Sequence, residues 1–148
     1  MFALAPISGR LTDRVGPLPV VMAGMVLMLG AALLSAVAPP AEELLLLIAL
    51  FALGWGWNLG FVAGSSLLTG AVGVNERARV QGVSDSLIWS TSAVASIGSG
   101  LVVGIWGFAT LGILGAVIVA VVGGVLLLGR EAMVRSEAVG PPLEPAVE

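Results

Sequence analysis

The sequence predicts an all-α membrane protein: four transmembrane helices behind a short N-terminal helix stub, packed as a helical bundle. Three observations carry this. The 148 residues are 58% hydrophobic and 10% charged, with a mean hydropathy of +1.11, whereas soluble domains carry about 25% charged residues. Four apolar runs reach the roughly 20 residues a helix needs to cross about 30 Å of hydrocarbon, and among them they hold one charge, Asp85. The 21 Gly suit membrane helices, where small residues let backbones approach closely. The chain has no Cys and no His. That removes disulfides, thiolate and imidazole metal sites, and His-based acid–base chemistry. A net charge of −3 leaves no basic face for nucleic acid.

Taken in order, Met1 to Ile7 (1-7) is apolar but too short to cross a bilayer, and reads as the end of a helix whose beginning lies elsewhere. It has no basic n-region, so a secretory signal is rejected. Residues 8-17 form a polar loop with Arg10, Asp13 and Arg14. The first span runs over 18-37, with Pro19 tolerated in its opening turn. Pro39, Pro40, Glu42 and Glu43 mark a short turn. The second span is 44-68, followed by a polar link with Glu76, Arg77 and Arg79. The third, 81-104, is the most polar of the four, and Trp106-Gly107 connects it to the fourth, 109-128. The tail, 129-148, has three Pro and four Glu and is expected to be a disordered cytoplasmic tail.

The arginines fix an orientation. All six basic residues are Arg, at 10, 14, 77, 79, 130 and 135, and the links around Pro39 and Trp106 have none. Four spans between these segments place every Arg on one side, which the positive-inside rule makes cytoplasmic, with the C-terminus. The absence of Lys beside abundant Ala, Gly and Val points to a bacterial source, hence a multi-pass protein of the inner (plasma) membrane.

Small residues repeat along three helices: Gly56, Gly60, Gly64; then Ser92, Ser96, Gly100, Gly104; then Gly112, Ala116, Ala120, Gly124. These ribbons predict close helix–helix packing. Asn58 lies about halfway across its span, where an amide must find a partner or line water. Asp85, Trp89, Ser92, Ser96 and Ser99 share one helix face. Asn58, Ser92 and Ser96 are therefore candidate cavity-lining residues, although serines also bond to backbone carbonyls. Intramembrane carboxylates are functional candidates, but Asp85 sits near the cytoplasmic end and is expected to pair with Arg77 or Arg79 in a charge cluster. No H-E-x-x-H, G-x-S-x-G or Walker loop occurs, so the sequence predicts no enzyme, no metal site and no cofactor.

Gly9-Arg10-Leu11-Thr12-Asp13-Arg14-Val15-Gly16 resembles the signature loop of the major facilitator superfamily, G-x-L-x-D-R-x-G. The basic pair that follows it in the family is replaced by Pro17 and Leu18. Asn75 to Gly82 resembles the loop before the family's eleventh helix, and Leu53 to Phe61 is similar to the tenth helix of some bacterial members. The resemblance implies the end of helix eight through helix twelve of a secondary transporter that rocks two halves about a midplane site. It implies a gate or latch role for Gly9, Asp13, Arg14 and Gly16, a small-molecule substrate, and two partners: the lipid bilayer and a missing N-terminal half. On this reading the chain is a fragment of a family member. Two other readings stay open: a stand-alone four-helix protein acting as an oligomeric exporter, and a packing or regulatory subunit of another membrane protein.

Overall fold

A computed structural model describes residues 2–39 and 42–139, with side chains described to Gly129. It is helical from end to end. A 3-10 turn, Phe2–Leu4, leads into α1 (Ala5–Val15); then come α2 (Pro17–Val37), α3 (Glu43–Gly70), α4 (Arg77–Trp106) and α5 (Phe108–Val139). The four long helices each have the length and apolar composition to cross a membrane.

The breaks between helices have local causes. Gly16 sits at φ 93°, ψ 156°, a conformation that costs a residue with Cβ but not glycine. It precedes Pro17, which disfavours helix in the residue before it and is preorganised for the first helical position after it. Gly107, at φ 83°, divides α4 from α5 in the same single-residue manner.

Two boundaries differ from the sequence reading. The segment expected as a polar loop, 8-17, is helical as far as Val15, because its polarity is arranged by face. Ser8 and Thr12, four apart, are buried, while Arg10, Asp13 and Arg14 point outward. One face turned inward is what a helical period of 3.6 gives. At the other end, disorder was expected from Gly129, but α5 continues to Val139. Glu131 to Val139 contains neither Gly nor Pro, and charged residues such as Glu and Arg are good helix formers. The rest of the expected tail, 140-148, lies outside the described residues.

The packed centre is α2 against α3, with α5 also packed on α2 and α1 on α3. Lipid gives apolar side chains no reason to leave it, so close contact holds the seam. A Cβ on Gly24 would lie 2.7 Å from the Gly56 carbonyl oxygen and 3.0 Å from the Gly60 nitrogen. A Cβ on Gly56 would lie 2.7 Å from Met28 Cγ and 2.8 Å from the Gly24 oxygen. Val20, Leu59 and Ala63 continue the seam, with Val21, Leu27 and Trp55 packed around them. The α2–α5 contact repeats the device at Gly112, where a Cβ would stand 3.0 Å from the Ala32 oxygen. Ala116, one turn on, is buried.

α4 is built differently. None of its 30 residues is buried, and it leaves cavities along its length against α2, α3 and α5.

Candidate functional site

Two polar centres lie within the helices, both anchored on α3. The first joins α1 to α3. Asn58, 1% exposed, accepts a hydrogen bond from the Ser8 hydroxyl at 2.5 Å, and Ser8 is itself fully buried. Thr12 donates to the Ser8 carbonyl oxygen at 2.8 Å, which satisfies its hydroxyl within its own helix. Asn58 has two donors as well as its oxygen; its Nδ2 is buried without a partner among the described residues, as is the Trp55 indole nitrogen.

The second centre joins α3 to α4. Gln81 Nε2 donates to Asp85 Oδ1 at 2.8 Å and to Ser65 Oγ, across on α3, at 3.3 Å. The other end of the amide, Gln81 Oε1, is buried and accepts no hydrogen bond among the described residues. The side chains at 81, 84, 85 and 88 are half-buried, whereas the intervening 82, 83, 86 and 87 are exposed. Asp85 thus shares the α3-facing side of α4 with Ser84 and Ile88. A cavity of about 300 Å³ beside this centre is lined by Gly60, Gly64, Ser65, Ser84 and Ile88. A wider one of about 480 Å³ is lined by Glu76, Arg79, Ser84 and Leu87, among others. A third, of about 350 Å³, lies among α2, α3, α4 and α5 and is almost wholly apolar, lined by Met25, Met28, Trp57 and Phe61 in addition to aliphatic residues.

The residues singled out from sequence fall out as follows. Asp13 and Arg14 are exposed on the last turn of α1, Gly9 is helical, and Gly16 makes the turn. Asn58 is buried, with its oxygen taken by the Ser8 hydroxyl. Ser92 and Ser96 are exposed on α4; the Ser96 carbonyl oxygen takes the Ser99 hydroxyl at 2.8 Å. Arg77 and Arg79 are exposed at the start of α4. The contact that Asp85 makes is with Gln81 rather than either arginine, because the partner one turn away on the same helix face is the amide. Sequence reasoning passed over Ser8, Thr12 and Gln81. The i, i+4 spacings Ser8–Thr12 and Gln81–Asp85 were the available signal.

Among the described residues no group of three His, Cys, Asp or Glu could hold a metal ion. Long apolar helices meeting at glycines, with polar groups sealed between them, define a multi-pass helical membrane protein whose environment is the lipid bilayer. The chain matches the family model described as Major Facilitator Superfamily over residues 1–146, and it belongs to that family. It is 35% identical over 118 residues to the protein named uncharacterized MFS-type transporter YddS of Bacillus subtilis, covering 80% of this chain and 27% of the relative. It is 31% identical to the MFS-type transporter YdeG of the same organism, with the same coverage. It is also 31% identical over 122 residues to the riboflavin transporter RfnT of Brucella anthropi, covering 82% of this chain and 30% of that one. No solved structure matches it significantly. The chain therefore spans less than a third of the length of these relatives.

Proposed function

We propose that these helices are the C-terminal part of a secondary transporter that moves a small solute across a bacterial inner membrane by alternating access. The family's mechanism is the rocking of one helical body against another about a central site. The observation that carries this reading is the contrast within the bundle. α2, α3 and α5 are locked at glycine contacts, whereas α4 has no buried residue and turns Ser92 and Ser96 outward. On this reading the exposed surface of α4, Ser92 and Ser96 included, meets the solute pathway and the other half of the transporter. Asp13 and Arg14 act at the cytoplasmic gate, and the Arg-bearing ends face the cytoplasm with the C-terminus. Riboflavin is the first solute to test, because it is named for one relative.

The experiment places a single cysteine at Ser96 in the full-length protein (Ser96→Cys; this segment adds no Cys of its own) and offers a membrane-impermeant maleimide from each side in turn. Alternating access predicts labelling from both sides. A residue facing only lipid or a static partner is reached from neither, and that result would remove the reading. Under the same proposal Asp13→Asn leaves expression intact and slows riboflavin uptake into proteoliposomes. Unchanged uptake would remove the gate role.

A further inference from the structure

α4 has two sides that meet different surroundings. Successive residues of a helix turn by about 100°, so Val83 and Leu87 lie roughly 140–180° around the axis from Ser92 and Ser96. With the serine side on the solute pathway, the Val83 and Leu87 side is turned to the bilayer. Both side chains are open there, Val83 at 56% exposure and Leu87 at 64%.

The cavity of about 480 Å³ lies on this side, between the end of α3 and the start of α4. Its volume is in the range of about 300–1,000 Å³ that small-ligand sites have. Its lining changes character along the axis. Glu76 and Arg79, one charge of each sign, stand at one end; Val80, Val83 and Leu87 follow along α4, faced by Leu68 of α3. From Glu76 to Leu87 the helix rises about 16 Å. α3 has 28 residues and is therefore about 42 Å long, which matches the roughly 40–45 Å of a bilayer with its headgroups. The end of α3 and the charged start of α4 beside it thus lie at headgroup level, and the apolar walls descend from there into hydrocarbon. Glu76 and Arg79 are exposed. The Glu76 side chain makes no capping hydrogen bond to the helix it precedes, so its carboxylate is not spent locally.

We infer that this cavity binds one phospholipid of the phosphatidylethanolamine class, its headgroup held by Glu76 and Arg79 and an acyl chain laid along Leu68, Val80, Val83 and Leu87. Charge complementarity selects the headgroup. The Arg79 guanidinium donates to the phosphate oxygens, a pairing that its planar fork suits. The Glu76 carboxylate accepts from the primary ammonium, whose N–H groups are all donors. A choline headgroup has the same charge but no N–H to give. A glycerol headgroup leaves the lipid with a net negative charge beside Glu76. Among the described residues no other charged side chain lines the cavity, and Arg77, though exposed, stands outside it. The site goes beyond transport and its chemistry needs none; only the assignment of this side of α4 to the bilayer rests on the transporter reading above.

The experiment is native mass spectrometry of the full-length protein in mild detergent, offered equal amounts of dioleoyl phosphatidylethanolamine, phosphatidylcholine and phosphatidylglycerol. The expected result is one tightly retained lipid, the ethanolamine lipid in preference to the other two. Glu76→Gln brings the ethanolamine and choline lipids to parity, whereas Arg79→Gln weakens retention of all three, since each has a phosphate. Leu87→Trp fills the groove and lowers retention without changing the order. Arg77→Gln changes neither retention nor order. The four substituted side chains are exposed, so the fold is spared. No preference in the parent, a preference that survives Glu76→Gln, or an Arg77→Gln effect equal to that of Arg79→Gln overturns the inference. Glycerophosphoethanolamine, the headgroup without chains, should not displace the lipid at equal concentration; displacement would overturn the lipid assignment in favour of a free phosphodiester. Absence of Ser96→Cys labelling from either side, with the Glu76-dependent preference present, instead removes the transporter reading and leaves the lipid site standing.

Discussion

α3 meets α2 on one face and α4 on another, and the two contacts are made of opposite materials. Towards α2 it presents backbone: Gly56 and Gly24 stand so close that neither has room for a methyl group. Towards α4 it presents a side-chain hydrogen bond from Gln81 to Ser65 and a row of cavities. Glycine-to-glycine contact has no slack and fixes one relative position of two helices. A single long hydrogen bond beside open space permits several. The lesson is that small residues alone do not make a seam: α4 has Gly100 and Gly104, and nothing lies within 4 Å of where their Cβ atoms would be.

The strongest way to break the comparison is at the seam. Gly56→Leu drives a branched side chain into Met28 and the Gly24 carbonyl, and overpacking of this kind costs about 1–3 kcal/mol and occasionally more. The expected outcome is a large fall in the thermal midpoint of the full-length protein in detergent, with loss of the monodisperse peak on size exclusion. Gly60→Leu, one turn along the same helix, has open space at its Cβ and should be much milder. Equal losses in the two variants would dissolve the distinction between the faces.

Next in size is Asn58→Leu. It strands the fully buried Ser8 hydroxyl, at about 1–3 kcal/mol. Ser8→Ala combined with Asn58→Leu should recover part of that, because removing both partners leaves nothing unpaired. Coupling between such membrane hydrogen bonds averages about 0.6 kcal/mol and reaches about 1.7, so a double-mutant cycle on thermal midpoints should return a value in that range. Strictly additive effects would mean that the 2.5 Å contact contributes nothing to joining α1 and α3. Gly112→Ala should come third, at about 1 kcal/mol, because its Cβ would meet the Ala32 carbonyl and Ala36 at 3.0 Å and α5 can shift slightly to make room.

How far this was readable from sequence follows the same divide. The spans were legible because hydrocarbon thickness sets a length that composition must match, and each of the four apolar runs lies inside one helix. Which small residues touch was not. Residues four apart on a helix drift by about 40° per step, so Gly56, Gly60 and Gly64 do not share one line, and of the three Cβ positions only that of Gly56 meets a neighbour. Asn58 was legible as an amide that must find a partner or line water, but Ser8, which bonds it, stood in a segment whose charges suggested a loop. A loop and an amphipathic helix with a polar inner face have similar compositions, and the i, i+4 pair Ser8 and Thr12 was the feature that separated them. Asp85 was drawn toward the nearby arginines because opposite charges attract, yet the amide one turn back on its own face took the bond. Long-range charge is a weaker guide to a partner than helical register.

The smallest effect belongs to α4 and sharpens the comparison from its loose side. Ala at Gly100 or Gly104 meets no atom within 4 Å, so no overpacking term enters. What remains is the backbone entropy that glycine loses on entering a helix, which favours alanine by about 0.4–1 kcal/mol where the conformation is compatible. Gly100→Ala and Gly104→Ala should therefore leave the thermal midpoint unchanged or raise it slightly, opposite in sign to Gly56→Ala. If either lowers the midpoint as Gly56→Ala does, then in the full-length protein another helix approaches that stretch of α4 at backbone distance. The face would then be a second seam, made with a partner outside these five helices, and the contrast drawn on α3 would hold only for the contacts within this segment.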